Sequence, residues 1–129
     1  MAKQWQVDIN TRPFDSASGV TITKFLLVGI NSSSELVIAS SDSGDQIDAI
    51  GVALEANNKL ATRIGVAKQT VVQNSVWSFT PGDVIYLGSD GAPTSTAPSG
   101  AGTLVQVIGK AETATRVRFD VQDDYTTNS

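Results

Sequence analysis

Neither cysteine nor histidine occurs anywhere in the 129 residues. The two absences together remove whole classes of function. Without thiols there is no disulfide framework, and cysteine usage says nothing about the redox compartment. Zinc sites built from Cys and His are excluded, and so is catalysis that relies on imidazole or a thiolate. An enzyme made from this chain would have to work with carboxylates, Lys, Tyr, Ser and Thr. Aromatic residues are scarce at 6%, and charged residues amount to only 17%. Small and hydroxylated residues fill the gap, which suits a β protein with many turns and not a helical bundle. No apolar run approaches the length of about 18 residues that a membrane-spanning helix needs. The opening MAKQWQVDIN has no apolar core of the secretory type, so synthesis in a cytoplasm is expected. Basic residues are also in deficit: 9 against 13 acidic, a net charge of −4. That balance argues against a general nucleic-acid binder, which shows a basic patch. The closest basic cluster is Arg116 with Arg118.

A chain of this length buries roughly two thirds of its unfolded surface and holds a core without staples. Its organising stretch is Pro81 to Val121, which reads as strand, loop, strand, turn, strand. Asp83 to Leu87 is a short apolar run entered through Pro81-Gly82. Gly88 to Gly102 has turn composition and no periodicity, so it is expected to be a loop. Thr103 to Gly109 and Thr115 to Val121 are read as two strands. On the last, Val117, Phe119 and Val121 share one face, while Arg116, Arg118 and Asp120 share the other.

Upstream, Trp5, Val7 and Ile9 alternate with polar residues, as in a half-buried strand or an extended arm. Asn10 to Gly19 is turn chemistry. Phe14 within it either caps the core or, with Trp5 and Pro13, docks on a partner. Val20 to Ile30 fits one long strand or two broken near Lys24, and residues 25–39 form a hairpin. Asn31-Ser32-Ser33 matches a glycosylation sequon, read here as chance. Gln46 to Leu54 and Leu60 to Val72 are strand-like. Glu55 to Lys59 is a tight turn or a single helical turn, and Trp77 to Phe79 is a short apolar patch. A single domain is expected, made of an N-terminal strand or arm and loop over 1–19, a β domain over 20–121 and a frayed polar tail over 122–129.

Three segments share the phrase Ile-Gly-x-Ala, at Ile50, Ile64 and Ile108. Glycine weakens a strand interior, so its recurrence implies a bulge, a bend or a close backbone approach. The expected architecture is therefore all-β: a single small, strongly curved barrel or sandwich with at most one short helical turn.

Reactive constellations are not found. Asp42, Asp45 and Asp48 recur every third residue, but lack the oxygen ladder of a calcium loop and read as a solvated turn. Gly100-Ala101-Gly102 opens like a dinucleotide fingerprint and fails at Val105. Asp83 with Asp90, or Glu55 with Asp48, are the carboxylate pairs a glycosidase would need. Trp5, Trp77, Phe79 and Tyr86 are the candidates for a sugar-stacking platform, against a plainer role in the core. No catalytic, cofactor-binding or metal-binding residue is assigned.

One resemblance stands out. Gly82-Asp83-Val84-Ile85-Tyr86-Leu87, Gly91-Ala92-Pro93-Thr94, Pro98-Ser99-Gly100, Val105 to Ala111 and Thr115 to Val121 together resemble a module that recurs in tailed-phage virion proteins. Ile50 to Glu55, IGVALE, looks like a phrase of phage capsid decoration (cement) proteins. The two pieces cover somewhat under half the chain. The resemblance implies a small β-barrel or β-tulip domain on the capsid exterior, often a homotrimer, whose partners are the major capsid protein and itself. It implies no enzyme activity, no cofactor, no nucleic acid, no membrane and no small-molecule substrate. Bridging between capsomers is expected to use the arm from Ala2 to Phe14, with Trp5, Arg12, Pro13 and Phe14 as partner-binding residues. The alternatives are a head-fibre, tail or baseplate component carrying the same module, and a carbohydrate-binding or hydrolytic module.

Overall fold

The computed structural model describes residues 2–4, 9–44, 46–57 and 63–129; for residues 2–4, 9–12 and 63 only the backbone is described. The fold is all-β. The strands are β1 (Ala2–Gln4), β2 (Ile9–Asp15), β3 (Leu27–Ile30), β4 (Leu36–Ile38), β5 (Gly51–Ala53), β6 (Arg63–Asn74), β7 (Val84–Leu87), β8 (Pro93–Thr94), β9 (Leu104–Val105), β10 (Val107–Ala111), β11 (Arg116–Asp120) and β12 (Thr126–Thr127). A single 3₁₀ turn, Ser89–Gly91, is the only helical element among the described residues.

The 12-residue strand β6 is the spine. From its N-terminal end, it pairs along one edge with β2 and then β1, and along the other with β5 and then β11. Val72 shows the arrangement, with Gln4 opposite it on one side and Val117 on the other. The shared edge splits the sheet into two arms. One runs β5–β3–β4, and a bridge between Ser16 and Leu36 ties β4 back to the end of β2. The pairings β6–β2–β4–β3–β5–β6 thus form a ring. The other arm runs β11–β10–β7–β8 and curls around the larger core.

Two apolar clusters result. The larger gathers Leu27, Val52, Val72, Ile85, Leu87, Ile108, Val117 and Phe119, with Trp77 and Phe79 packed against it. The smaller holds Ile22, Val28, Leu36, Ala53, Ile64 and Val66, with Phe14 packed against it. Paired β3 and β5 form the wall between them: Leu27 and Val52 face one core, Val28 and Ala53 the other. A wall buried on both sides has no polar face, which explains the continuous apolar runs in these segments.

Two of the three recurrent glycines, Gly51 and Gly109, sit where backbones crowd. A Cβ added at Gly51 would lie 2.7 Å from the Ala67 carbonyl oxygen. At Gly109 it would lie 2.5 Å from the Arg118 carbonyl oxygen and 3.0 Å from the Phe119 Cα. The pairing of β10 with β7 also slips register between Val107 and Gly109, as in a β-bulge. Because backbone atoms yield less than side-chain tips, Gly109→Ala is expected to cost about 1–3 kcal/mol in a urea titration. Gly100→Ala, whose Cβ would meet nothing nearer than Thr103 Cγ2 at 3.6 Å, should stay within about 0.5 kcal/mol. Equal stability of the two variants would remove the close-approach account.

Several sequence expectations are corrected. Asn10 to Asp15 is strand, not turn: Pro13 lies on the edge of the sheet, opposite Gly65, where a missing N–H is tolerated. Only the last third of Val20 to Ile30 is strand, because Phe25 adopts φ 69° and turns the chain just before β3. Gln46 to Leu54 narrows to β5, with Ile47 bridged to Ser40. The loop from Gly88 contains the 3₁₀ turn and β8, which pairs with β7. The strand expected over Thr103 to Gly109 breaks at Gln106. Within the polar tail, β12 pairs with β9, and the Asn128 side chain donates to the Pro98 carbonyl at 2.7 Å and to Thr103 Oγ1 at 2.8 Å. Lys59, in the turn after Glu55, lies outside the described residues, as do Asp45 and the start of the Leu60 strand.

Candidate docking surface

The face of β11 that turns away from the core carries Arg116, Arg118 and Asp120, as the alternation of its sequence predicts. Its partner side chains are set by register. Lys110 stands directly opposite Arg118, and Val84 stands opposite Lys110. The row Val84, Lys110, Arg118 therefore crosses three strands on one open face. Val107 joins it through the bulge. Residues three apart on a regular strand point to opposite faces, yet Val107 and Lys110 are both exposed while Ile108 is fully buried. The irregularity at Gly109 thus re-aims Val107 outward, a recognised use of bulges.

The outcome is an open groove of about 560 Å³ lined by Val84, Val107, Lys110, Arg118, Asp120 and Gln122, among others. Val84 is 43% exposed and Val107 38%, so its apolar part is accessible. Neighbouring cations are matched with acids: Arg116 Nε donates to Glu112 Oε1 at 3.1 Å, and Lys68 Nζ to Asp123 Oδ2 at 2.8 Å. Among the described residues, Lys110 and Arg118 form no ion pair.

The residues singled out in the sequence fall as follows. Phe14 is half-buried against the smaller core, as the capping role expects. Pro13 is exposed on β2, and Arg12 pairs through its backbone with Val66. Trp5 lies outside the described residues. Trp77 lies 5.9 Å from Phe79 with the rings tilted at 44°, and edge-on to Phe119 at 6.0 Å, so these rings pack on the core and on one another. The candidate carboxylates have local duties. Asp83 accepts from the Thr80 amide, Glu55 from the Gly65 amide, and Asp42 from Ser89 Oγ. Among the described residues, no group of three acidic side chains gathers as a metal site would require. Asn31, of the sequon, shapes the β3–β4 turn by accepting from the Ser33 and Glu35 amides.

Sequence reasoning missed Val84, Val107 and Lys110 as members of one surface. The glycine at position 109 was the available signal, since it marked a bulge; which side chain the bulge turns outward depends on the pairing with β7. Comparison with known protein families finds no match, and no curated protein sequence matches the chain.

Proposed function

We propose that this chain is a structural protein of a tailed-phage virion, one that binds the outside of the capsid and stabilises the shell by bridging capsomers. The observation that carries this reading is the placement of the phage-like phrases. Gly82 to Leu87 leads into β7, Gly91 to Thr94 supplies the turn and β8, Val105 to Ala111 spans β9 and β10, and Thr115 to Val121 covers β11. These phrases thus build most of the arm β11–β10–β7–β8, while Val105 ends β9 of the separate two-stranded sheet and the IGVALE phrase, Ile50 to Glu55, supplies β5 in the other arm. A stabiliser of this kind acts mechanically. Binding free energy at each contact must be overcome before the shell bursts, and many modest contacts on one lattice add up. The partners in this reading are the major capsid protein and further copies of the chain, as a homotrimer.

In this reading the N-terminal segment takes part in docking, through Trp5, Arg12 and Pro13, and it is also part of the fold. Removing residues 2–14 strips β2 from β6 and Phe14 from the smaller core, so docking and folding would be lost together. The test adds purified protein to expanded shells that lack it. Electron cryomicroscopy should then show regular density across the shell surface, and the decorated shells should withstand heating that bursts bare ones. Density confined to a unique vertex or to the tail would replace this reading with the fibre, tail or baseplate alternative. Failure to bind any virion part would end both.

A further inference from the structure

We propose that the groove over β7, β10 and β11 is a docking site for an extended acidic segment of a partner protein. A carboxylate of that segment sits over Lys110 and Arg118, and its apolar side chains lie on Val84 and Val107. The inference goes beyond the capsid reading and does not depend on it, because it concerns the chemistry of this face whichever protein supplies the segment.

The first argument is electrostatic. Lys110 and Arg118 are direct cross-strand partners. Cβ atoms so placed are about 4.5–5.5 Å apart, and like charges there destabilise the sheet. The chain as a whole carries an excess of acid, with a net charge of −4. Both nearby cations, Arg116 and Lys68, have carboxylate partners. An unmatched pair of cations in register is therefore a local cost that an incoming carboxylate relieves. Arg118 offers a planar donor fork for it, and Lys110 a mobile point charge.

The second argument is shape and polarity. Val84 and Val107 are two of the five large hydrophobic side chains exposed among the described residues, and both line this groove. Its volume of about 560 Å³ is sufficient for several side chains. An extended segment presents alternate side chains to one surface, so an acidic residue and an apolar residue two positions apart meet the cations and the valines together. Asp120, at the other end of the β11 row, repels a second carboxylate there. It thereby fixes where along the groove the acidic residue rests.

The test is a nuclear magnetic resonance titration of the isotope-labelled full chain with a capped peptide repeating Asp-Ser-Val-Ser, which puts Asp and Val on the same face of an extended segment. Saturable shifts are expected at the amides of Val84, Val107, Lys110 and Arg118, weakening as salt is added. The double substitution K110E/R118E should weaken binding about tenfold or more, equivalent to at least about 1.4 kcal/mol. V84S/V107S should weaken it as well. All four side chains are exposed, so an unchanged spectrum elsewhere verifies that the variants fold. The proposal is overturned by lack of saturable binding at these amides, or by equal binding of a Lys/Val peptide. Inorganic phosphate producing the same shifts by itself overturns it too, since the site would then be an anion site. Groove shifts that track protein concentration without peptide also overturn it, because a second copy would then be the occupant.

Discussion

Gln106→Leu is expected to lower stability by about 2–6 kcal/mol, at about 1–3 kcal/mol for each buried backbone group left without a partner. The Gln106 side chain is 1% exposed and acts as a one-residue piece of strand. Its Oε1 accepts from the Ala49 amide at 2.7 Å, while its Nε2 donates to the Ala49 carbonyl at 2.8 Å and to the Gln122 carbonyl at 2.6 Å. Leucine fills the space but leaves the buried Ala49 with neither bond. The readout is the urea midpoint at unchanged slope, which reports stability free of changes in exposed area. A loss below about 1 kcal/mol, within the range of ordinary substitutions, would show that the network is dispensable. Gln106→Glu adds a pH signature. It keeps the acceptor but aims a second carboxylate oxygen at two carbonyls, so burial and repulsion favour the protonated form in the folded state. The folded protein then holds a proton that the unfolded chain releases, and stability falls as pH rises. That variant should lose more relative to the native chain at pH 7 than at pH 4.

The second large effect belongs to Phe119→Ala, with an expected loss of about 3–5 kcal/mol. Phe119 is fully buried in the larger core, and the Trp77 ring meets it edge-on at 6.0 Å. Truncation removes apolar contact and leaves a cavity walled by strands that are held by their own ladders, so the site cannot collapse around the smaller side chain. Against a total stability of about 5–15 kcal/mol this is a large fraction. Denaturant unfolding followed through tryptophan fluorescence gives the number. Phe119→Leu, which keeps most of the volume, should lose markedly less. A Phe119→Ala loss within about 1 kcal/mol would mean that the core around β11 is loosely packed.

Much of the fold is legible in the residues, and the parts that are not share a cause. The alternation of Arg116 to Val121 identified both faces of β11, because a strand with one buried face writes that fact every second residue. The β3–β4 hairpin was readable for a similar reason, with a polar turn at Asn31 between two apolar runs. Residues 10–15 were misread because Asn, Pro and Asp are turn formers by local propensity, and only pairing with β6 makes them strand. The pairing within the tail was not legible because Gln122 to Ser129 contains nothing that packs by itself. It rests on the Asn128 side chain and the β9 backbone, contacts that span more than twenty residues of sequence.

What the sequence determined by itself was chemistry and class: no thiol or imidazole mechanism, an all-β chain, and glycines at positions where strands must bend or touch. Tertiary structure decided what those glycines accomplish. The slip at Gly109 turns Val107 toward solvent, and the β10–β11 register sets Lys110 beside Arg118. Neither neighbour is near the other in any local pattern, since cross-strand register is a property of the folded sheet and is written in no single strand.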